Sequence, residues 1–505
     1  MASFYVENFG CRATQADGAA IEEQFRQLGV DQADHPNRAR FVVLNTCAVT
    51  ASAEQDARSA IRRVRRENPE CEVIVTGCYA QRAPQEVADL PGVSLVVGNS
   101  HKHNLAHIVL STQSEKDIVD SGSFVPITRL TKNSDVCREN IFVSDIFAHT
   151  ELLAAPVFGS GNERTRPNLK VQDGCNNRCS FCIIPSLRGR SRSLPMNEVV
   201  REVNQLVEAG YREVVISGIN LGRWGRDLPA QPRWVGHSCP TKFEDLVQRI
   251  LDHTALEKLR ISSVEPMDWT DSLIQLMAES PRIAKHAHVP MQSGSDTVLR
   301  RMHRKYRPWH YREKIEKIRA AMPAAAIGAD VMVGFPGETD SEFDDTRRMI
   351  EELPFTYLHV FTFSARPGTP AASMPNQVPV RVARERNRIL RDLAAEKKDQ
   401  FMRSFIGQEL DAITLNISSS DAGGEWTEAL TDNYLKLKLR GHHSPNQWLS
   451  ARIISAERGE LIGLASLRVE DSSSAIVKDL AGTAVEDPAC AAVEERRASA
   501  PRKRN

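Results

Sequence analysis

The chain has 505 residues, 41% of them hydrophobic and 26% charged, so it can bury a large core and should divide into several domains. Its 65 Lys and Arg residues balance its 65 Asp and Glu residues, so net charge gives no evidence of a polyanionic partner. No apolar run reaches the ~20 residues that a membrane helix needs, and no basic or apolar leader opens the chain, so we expect a cytoplasmic protein without a membrane partner.

Residues 1–112 alternate short apolar runs with helix-like stretches, a rhythm typical of a small parallel α/β domain. Ligands of such sheets bind beyond the carboxyl ends of the strands. Cys11, Cys47 and Cys78 each follow a strand candidate at such an end. One cysteine alone is more often a small buried hydrophobe. Three at equivalent strand ends favour a metal cluster, because one sheet could bring the three thiols to the same rim.

Residues 113–160 lose this periodicity, and we expect a linker with little fixed structure there. Residues 161–400 form a second series, in which strand candidates alternate with helical stretches. The six strand candidates are Leu169–Gln172, Glu213–Ser217, Lys258–Ser263, His286–Pro290, Ile327–Val333 and Phe355–Phe363. Such a series predicts a partial (βα)6 barrel with its chemistry at the carboxyl ends of the strands.

The C-terminal part changes character twice. Residues 401–469 consist of short strand-like pieces separated by Gly, Ser, Asp and Asn, which predicts a small β-barrel. Residues 470–505 are rich in Ala, Ser, Glu and Arg, and we expect a disordered tail. The predicted fold class is therefore α/β, with an N-terminal parallel α/β domain, a central partial barrel and a small C-terminal β-barrel.

The densest cysteine motif follows the first strand of the predicted central barrel. Cys175, Cys179 and Cys182 form a C-x-x-x-C-x-x-C run. Three thiolates on so short a loop suit a cubic iron–sulfur cluster, which usually takes four cysteines and would here keep one iron open for chemistry. Structural zinc is the alternative, but zinc sites of this type usually close with a second C-x-x-C pair, and none follows.

This motif, after the first strand of an α/β barrel, resembles the radical S-adenosylmethionine superfamily. The resemblance implies that S-adenosylmethionine chelates the open iron of a 4Fe-4S cluster, and that an electron donor protein reduces the cluster to release a 5′-deoxyadenosyl radical. Later strand ends also match, so Gly218, Glu265 and Gln292 become candidate contacts of the cofactor. Gly-rich strand ends are also ordinary loop chemistry, and that interpretation stays open.

Combined with Cys11, Cys47 and Cys78, the pattern resembles the methylthiotransferase family. That resemblance implies an auxiliary 4Fe-4S cluster on these three cysteines and a C-terminal TRAM-like barrel that binds RNA. One S-adenosylmethionine would supply the methyl group and another the radical. Thr14 departs from the family pattern, which usually has Asn at this place.

The sequences around Cys47, Cys78 and Cys175 look most like the branch that acts on threonylcarbamoyladenosine in tRNA. The implied reaction transfers a methylthio group to carbon 2 of N6-threonylcarbamoyladenosine at position 37, in the anticodon loop. Three alternatives remain: isopentenyladenosine in tRNA, an aspartate of a ribosomal protein, or a non-catalytic RNA-binding protein with structural metal. Cys71, Cys137, Cys239 and Cys490 match no motif and are interpreted as structural or incidental.

Basic residues suggest where RNA would bind. The alternation in 435–440 puts three leucines on one strand face and Lys436, Lys438 and Arg440 on the other, either a phosphate track or a solvated surface. A second basic stripe, or an ordinary charged helix face, comprises Arg58, Arg62, Arg65 and Arg66. Just past the central triplet, three further arginines could meet a phosphate or the cofactor carboxylate, namely Arg188, Arg190 and Arg192.

Overall fold

The structure is a computed structural model that describes residues 2–120, 140–149, 152, 165–229, 231–233, 237–239, 241–421 and 424–466. The predicted tail, Cys137 and Cys490 lie outside the described residues. None of the described helices is long and apolar enough to cross a membrane.

The N-terminal domain is a six-stranded parallel sheet in the order β2-β1-β3-β4-β5-β6. Its strands are β1 (Ser3–Asn8), β2 (Asp31–Gln32), β3 (Phe41–Thr46), β4 (Glu72–Gly77), β5 (Val93–Gly98) and β6 (Ile141–Phe142). Its helices are α1 (Arg12–Gln27), α2 (Ala51–Glu67), α3 (Cys78–Arg82), α4 (Pro84–Ala88) and α5 (Leu105–Asp120).

The central strand of this sheet shows how both faces are covered. Every residue of β3 is buried. Val42 and Leu44 pack with residues of α2, whereas Phe41 and Val43 pack on the opposite face with residues of α1 and α5. Strands buried on both sides read as continuous apolar runs, which is the pattern that predicted a parallel sheet.

One part of the linker prediction differs from the structure. Residues 113–160 were expected to have little fixed structure, but α5 continues to Asp120 and β6 adds a sixth strand to the sheet. Strand β6 pairs with Val96 and Val97 of β5. A strand of two residues has no periodicity of its own, so its conformation follows from hydrogen bonds to its partner.

The central domain contains six parallel strands in the order β7-β9-β12-β13-β14-β15. They are β7 (Asn168–Asp173), β9 (Glu213–Gly218), β12 (Lys258–Ile261), β13 (His286–His288), β14 (Ala326–Val333) and β15 (Tyr357–Thr362). Parallel bridges between Leu259 and Ile283 and between Ser263 and His288 join the two halves. The partial barrel predicted from the sequence is thus confirmed.

Short strands and helices complete the central domain. The short strands are β8 (Arg192–Ser193), antiparallel to β7, and the hairpin of β10 (Gln231–Arg233) and β11 (His237–Cys239). The helices are α6 (Ile184–Arg188), α7 (Met196–Glu208), α8 (Phe243–His253), α9 (Asp271–Glu279), α10 (Asp296–Arg301), α11 (Pro308–Ala321), α12 (Asp340–Glu352) and α13 (Val380–Arg403).

The C-terminal domain is a closed five-stranded barrel in the order β16-β17-β18-β20-β19. Its strands are β16 (Glu409–Asp421), β17 (Gly424–Thr431), β18 (Lys436–Arg440), β19 (Trp448–Glu457) and β20 (Glu460–Ser466). Leu437 and Leu439 are buried in its core while Lys436 and Arg440 are exposed, as the alternation predicted. Closure pairs every strand on both sides, so the barrel has no free edge.

The loop between β17 and β18 attaches this barrel to the central domain. The Arg260 guanidinium of β12 donates hydrogen bonds to the carbonyl oxygens of Asp432, at 3.2 Å, and Thr431, at 3.4 Å. The Asn433 side chain donates to the carbonyl oxygen of Ala324 at 3.0 Å. These contacts hold Tyr434, which has a positive φ of 70°, against the interior of the partial barrel.

Candidate active site

A cavity of about 560 Å³ lies where the three domains meet. The N-terminal domain contributes Cys11, Arg12, Ala13 and Val49, and the C-terminal barrel contributes Tyr434. The partial barrel contributes the other lining residues, including the three cysteines of the central triplet. The cavity is of the size that binds a small-molecule cofactor together with part of a larger substrate.

The triplet loop starts at a glycine that no other residue can replace. Gly174 has a φ of 69°, and a Cβ atom there would lie 2.0 Å from the carbonyl oxygen of Arg190. The Cys175 amide then donates to the Gly189 carbonyl at 3.1 Å. Gly174 thus lets the chain turn directly after β7, so that the cysteines face the cavity.

The sulfur atoms of the triplet accept hydrogen bonds. The Asn177 amide and the Asn220 side chain donate to Cys175 Sγ at 3.4 and 3.6 Å. Arg304 donates to Cys179 Sγ at 3.3 Å and forms an ion pair with Glu265. Donors of this kind stabilise thiolate sulfur and tune an iron–sulfur cluster. Arg304 belongs to no motif that sequence analysis singled out, because its role depends on contacts across the barrel.

The outer cysteines also come together. Cys11 immediately precedes α1, Cys47 follows β3, and Cys78 begins α3 after β4. A Cβ atom at Gly10 would lie 2.7 Å from Cys47 Cβ and 3.0 Å from Cys47 Sγ, so the loop of Cys11 approaches Cys47 closely. The convergence expected from equivalent strand ends is present.

Burial disfavours free thiolates in both sets. Burial, followed by the nearby Cys78 and Cys11 thiols, raises the pKa of Cys47 to about 11. Burial likewise raises the pKa of Cys182 to about 12 and that of Cys175 above its usual range. A bound metal removes such protons outright, so these sites suit thiols that are deprotonated by coordination.

The spacing of the cysteines bears on which metal they could hold. Among the described residues, no group of three or more His, Cys, Asp or Glu side chains is gathered tightly enough to hold a single metal ion. A cubic cluster binds each cysteine through a different iron, so its ligands stand farther apart than those of one zinc ion.

The three candidate contacts of the cofactor all line the cavity, namely Gly218, Glu265 and Gln292. Gln292 is buried with a positive φ of 63°, and its Oε1 atom has no hydrogen-bond partner. Ser217 Oγ and Asn220 Oδ1, on the same wall, are also buried without a partner. Buried polar atoms without partners are costly, so this wall is built for a polar ligand.

The expectation for Arg188 is wrong. Its side chain is 2% exposed and donates to Asp173 and Asp17, each at 3.0 Å, so it meets neither a phosphate nor a cofactor carboxylate. The sequence could not show this, because Asp17 lies in another domain. Arg190 is exposed, and Arg192 donates to the His149 carbonyl at 3.3 Å.

Thr14, the departure from the family pattern, is fully buried. Its Oγ1 atom lies 3.5 Å from Cys11 Sγ, within the range of a hydrogen bond to sulfur. The substitution therefore keeps a polar contact to the first outer cysteine.

A wall of histidine and tyrosine rings faces the cavity, which sequence analysis missed. The His286 ring stacks on Tyr357 with an interplanar angle of 6°, and its Nε2 lies 2.6 Å from the Tyr357 hydroxyl. His288 also stacks on Tyr357, and the Tyr434 ring lies 4.5 Å from that of His286 between centroids. The alternation His286-Ala287-His288 on β13 puts both imidazoles on one face, and that signal was available in the sequence.

The basic surfaces are partly neutralised. Lys436 and Lys438 lie 3.8 and 3.2 Å from Glu460, and Arg440 stacks on the Trp426 ring at 5.7 Å. In the N-terminal stripe, Arg58 pairs with Glu86, and Arg65 donates to the carbonyl of Pro69. Arg62 and Arg66 remain exposed beside a shallow groove.

Comparison with known proteins found family matches for both the central domain and the N-terminal domain. A model of the Radical SAM superfamily matches residues 169–350, and one of the Uncharacterized protein family UPF0004 matches residues 3–98. The chain is 35% identical over 441 residues to the threonylcarbamoyladenosine tRNA methylthiotransferase MtaB of Bacillus subtilis, covering 87% of this chain and 91% of that protein. The corresponding Rickettsia prowazekii protein is 34% identical, covering 90% and 95%.

Two further matches are to a relative with a different name and to a solved structure. The tRNA-2-methylthio-N(6)-dimethylallyladenosine synthase of Syntrophotalea carbinolica is 32% identical, covering 84% of this chain and 90% of that protein. The solved structure of the radical S-adenosylmethionine methyltransferase TsrM from Kitasatospora setae superimposes with a TM-score of 0.51 at 14% identity, covering 74% and 75%. The latter similarity concerns the fold alone.

Proposed function

Because the chain belongs to the methylthiotransferase family of radical S-adenosylmethionine enzymes, we propose that it transfers a methylthio group to carbon 2 of N6-threonylcarbamoyladenosine at position 37 of tRNA. Relatives named for this activity match at 32–35% identity over most of their length. S-adenosylmethionine and a 4Fe-4S cluster follow from the family.

The observation that carries the proposal is the shared cavity. Cys11 lines the same space as Cys175, Cys179 and Cys182, although it lies in a different domain. A methylthiolation needs a site that generates a radical and a site that holds sulfur, both within reach of one carbon atom. Two cysteine sets around one cavity meet that requirement.

In this proposal Cys175, Cys179 and Cys182 hold the radical-generating cluster, and Cys11, Cys47 and Cys78 hold an auxiliary 4Fe-4S cluster. When bound, the first cluster and S-adenosylmethionine supply a 5′-deoxyadenosyl radical that abstracts hydrogen from the substrate.

The protein's own residues bind and orient the cofactor. Gln292 and Asn220, with their unpartnered oxygens, accept hydrogen bonds from the cofactor's amino or hydroxyl groups. Gly218 permits close backbone approach; a Cβ atom there would lie 2.9 Å from Gln172 Oε1. Glu265 is held by Arg304 and stays available on the cavity wall.

The RNA substrate must present its adenine unstacked from the anticodon loop, since a stacked base cannot reach an enclosed cavity. The rings of His286, Tyr357 and Tyr434 offer flat faces on which such a base stacks. Phosphates would meet the exposed Arg440 and Arg62.

Nucleoside mass spectrometry tests the proposal. tRNA from a strain lacking the gene should lose 2-methylthio-N6-threonylcarbamoyladenosine and accumulate the unmodified precursor, and restoring the gene should reverse both changes. Unchanged levels of the methylthio nucleoside in the deletion strain would refute the proposal.

Isopentenyladenosine is the second candidate substrate, because the chain also matches the Syntrophotalea carbinolica synthase over most of its length. The same mass spectra decide between the two. Loss of 2-methylthio-isopentenyladenosine alone would favour this second candidate.

A further inference from the structure

Among the described residues, no carboxylate pairs with Arg12, an arginine that lines the cavity. Its side chain is half-buried on the cavity wall, directly after Cys11. The side-chain hydrogen bond that it makes goes to the hydroxyl oxygen of Tyr434, at 3.2 Å. Among the part of the chain that the structure describes, no Asp or Glu forms an ion pair with it. An arginine has five N–H donors, so most of its hydrogen-bonding capacity is unused.

The two other arginines that line the cavity have carboxylate partners. Arg260 pairs with Glu213 at 2.6 Å, and both side chains are almost completely buried. Arg304 pairs with Glu265. Asp330 lies 3.4 Å from His288 Nε2, a contact that is an ion pair only when the imidazole is protonated. Arg12 therefore differs from the other two arginines in that no carboxylate of the described part of the chain forms an ion pair with it.

His286 and His359 do not supply a competing cation. Burial, with smaller effects of Arg260, His288 and Arg12, lowers the pKa of His286 well below its usual range. Burial also lowers the pKa of His359, and Arg12 contributes in the same direction. Both imidazoles are thus neutral at neutral pH, in part because the Arg12 charge is close to them.

A lone guanidinium in a partly desolvated cavity is a receptor for a carboxylate, which it binds through two parallel hydrogen bonds. The threonylcarbamoyl group attached to N6 of the adenine ends in such a carboxylate, whereas an isopentenyl group is neutral. We infer that Arg12 binds the carboxylate of the threonylcarbamoyl group and thereby selects the modified adenosine. This inference rests on the proposed function and names the part of the substrate that this site recognises.

The location of Arg12 supports this role. Carbon 2, which would receive sulfur, and C6, which carries the modification, flank the same ring nitrogen of adenine. A base that presents carbon 2 to the loop of Cys11 therefore brings its N6 substituent near the side chain of the next residue. Tyr434, which already accepts a hydrogen bond from Arg12, holds the guanidinium on the side of the aromatic wall.

The test uses the anaerobically purified, cluster-loaded enzyme and two anticodon stem-loop RNAs. One RNA carries N6-threonylcarbamoyladenosine, and the other carries the same group with its carboxylate converted to a primary carboxamide. The wild-type protein should prefer the carboxylate RNA in kcat/KM by about 10- to 100-fold, the range expected of a hydrogen bond to a charged group. Arg12→Gln should reduce this preference to about threefold or less, mainly by losing activity on the carboxylate RNA.

Three controls make the result specific. Arg62→Gln removes one positive charge from the same domain outside the cavity, so it should change both RNAs equally. Arg12→Lys should restore part of the preference, since the charge remains but the paired donors do not. Iron content should be unchanged in Arg12→Gln, which shows that the neighbouring Cys11 still holds its cluster.

The outcomes separate this inference from the proposed function. Affinities of both RNAs, measured by fluorescence anisotropy, test the carboxylate contact independently of turnover. Equal wild-type affinity and kcat/KM for the two RNAs, or an equal loss on both in Arg12→Gln, would overturn the inference and leave the proposed function intact. A preference in binding without methylthiolation of either RNA would support the Arg12 contact and refute the proposed function.

Discussion

Arg188 of the central barrel and Asp17 of the N-terminal domain lie 3.0 Å apart in a fully buried ion pair. Asp17 also pairs with Lys102 of its own domain, at 3.0 Å, and with Lys170 of β7. Asp173 completes the group through Lys170, at 2.9 Å, and Arg188. This network joins the two domains beside both cysteine sets. It therefore helps to hold the two sets at a fixed distance from each other.

Neutralising Asp17 should loosen this junction. In Asp17→Asn, three buried cations face the single carboxylate of Asp173, and breaking a buried network in this way costs about 3–5 kcal/mol of folding free energy. Thermal unfolding followed by circular dichroism should show a clearly lower Tm. Glu23→Gln, on the exposed face of the same helix, should change the folding free energy by less than about 1 kcal/mol. Equal Tm values for the two variants would contradict the prediction.

Acid should weaken the start of α12. Burial alone would raise the pKa of Glu342, but the Arg301 guanidinium, Thr297 and the Thr339 amide lower it to about 2. A depressed pKa means that the carboxylate stabilises the folded protein fully above its ordinary pKa of 4.5, and that this contribution is lost as the pH falls towards 2. The Tm difference between the wild type and Glu342→Gln should therefore be largest near pH 7 and shrink below pH 5. A constant difference across this range would show that Glu342 acts only through packing.

Removing one cysteine set or the other should distinguish radical formation from methylthiolation. The wild-type protein should bind about eight irons per chain, and a triple Ala variant of Cys11, Cys47 and Cys78 about four. That variant should still form 5′-deoxyadenosine but no methylthio product. The matching variant of Cys175, Cys179 and Cys182 should form neither. Iron analysis and chromatography of the products provide the measurement, and loss of all iron from the first variant would argue against two independent sites.

Glu460 should weaken RNA binding, because it lies beside Lys436 and Lys438 on the outer face of the C-terminal barrel. Glu460→Gln should raise tRNA affinity a few-fold at low salt, and a double Gln variant of the two lysines should lower it. If both lysines contact phosphates, the double variant should also reduce the salt dependence of log K by up to about two units of slope. Lys317→Gln, on helix α11 of the central domain, serves as the control for lost charge. Equal affinity of all variants would mean that RNA does not touch this face.

The sequence predicted the elements better than the contacts between them. Buried parallel strands such as β3 appear in the sequence as apolar runs, and the cysteines that follow β3, β4 and β7 mark the site directly. Arg304, Asp17 and Tyr434 carry no such mark, because each acts on residues more than a hundred positions away or in another domain. Arg188 was misjudged for the same reason, since a basic residue near a cluster motif indicates a ligand contact unless its buried carboxylate partners are known.

The position of Tyr434 late in the chain determines when the cavity closes during synthesis of the protein. All six motif cysteines lie at or before position 182, whereas the cavity wall is completed by Tyr434 of the C-terminal barrel, which leaves the ribosome after them. While the nascent chain is still being elongated, both cysteine sets are present and the side of the cavity next to Arg12 is still open. Iron–sulfur delivery to these cysteines can therefore precede closure of the cavity, which gives a carrier protein access that the finished enzyme restricts.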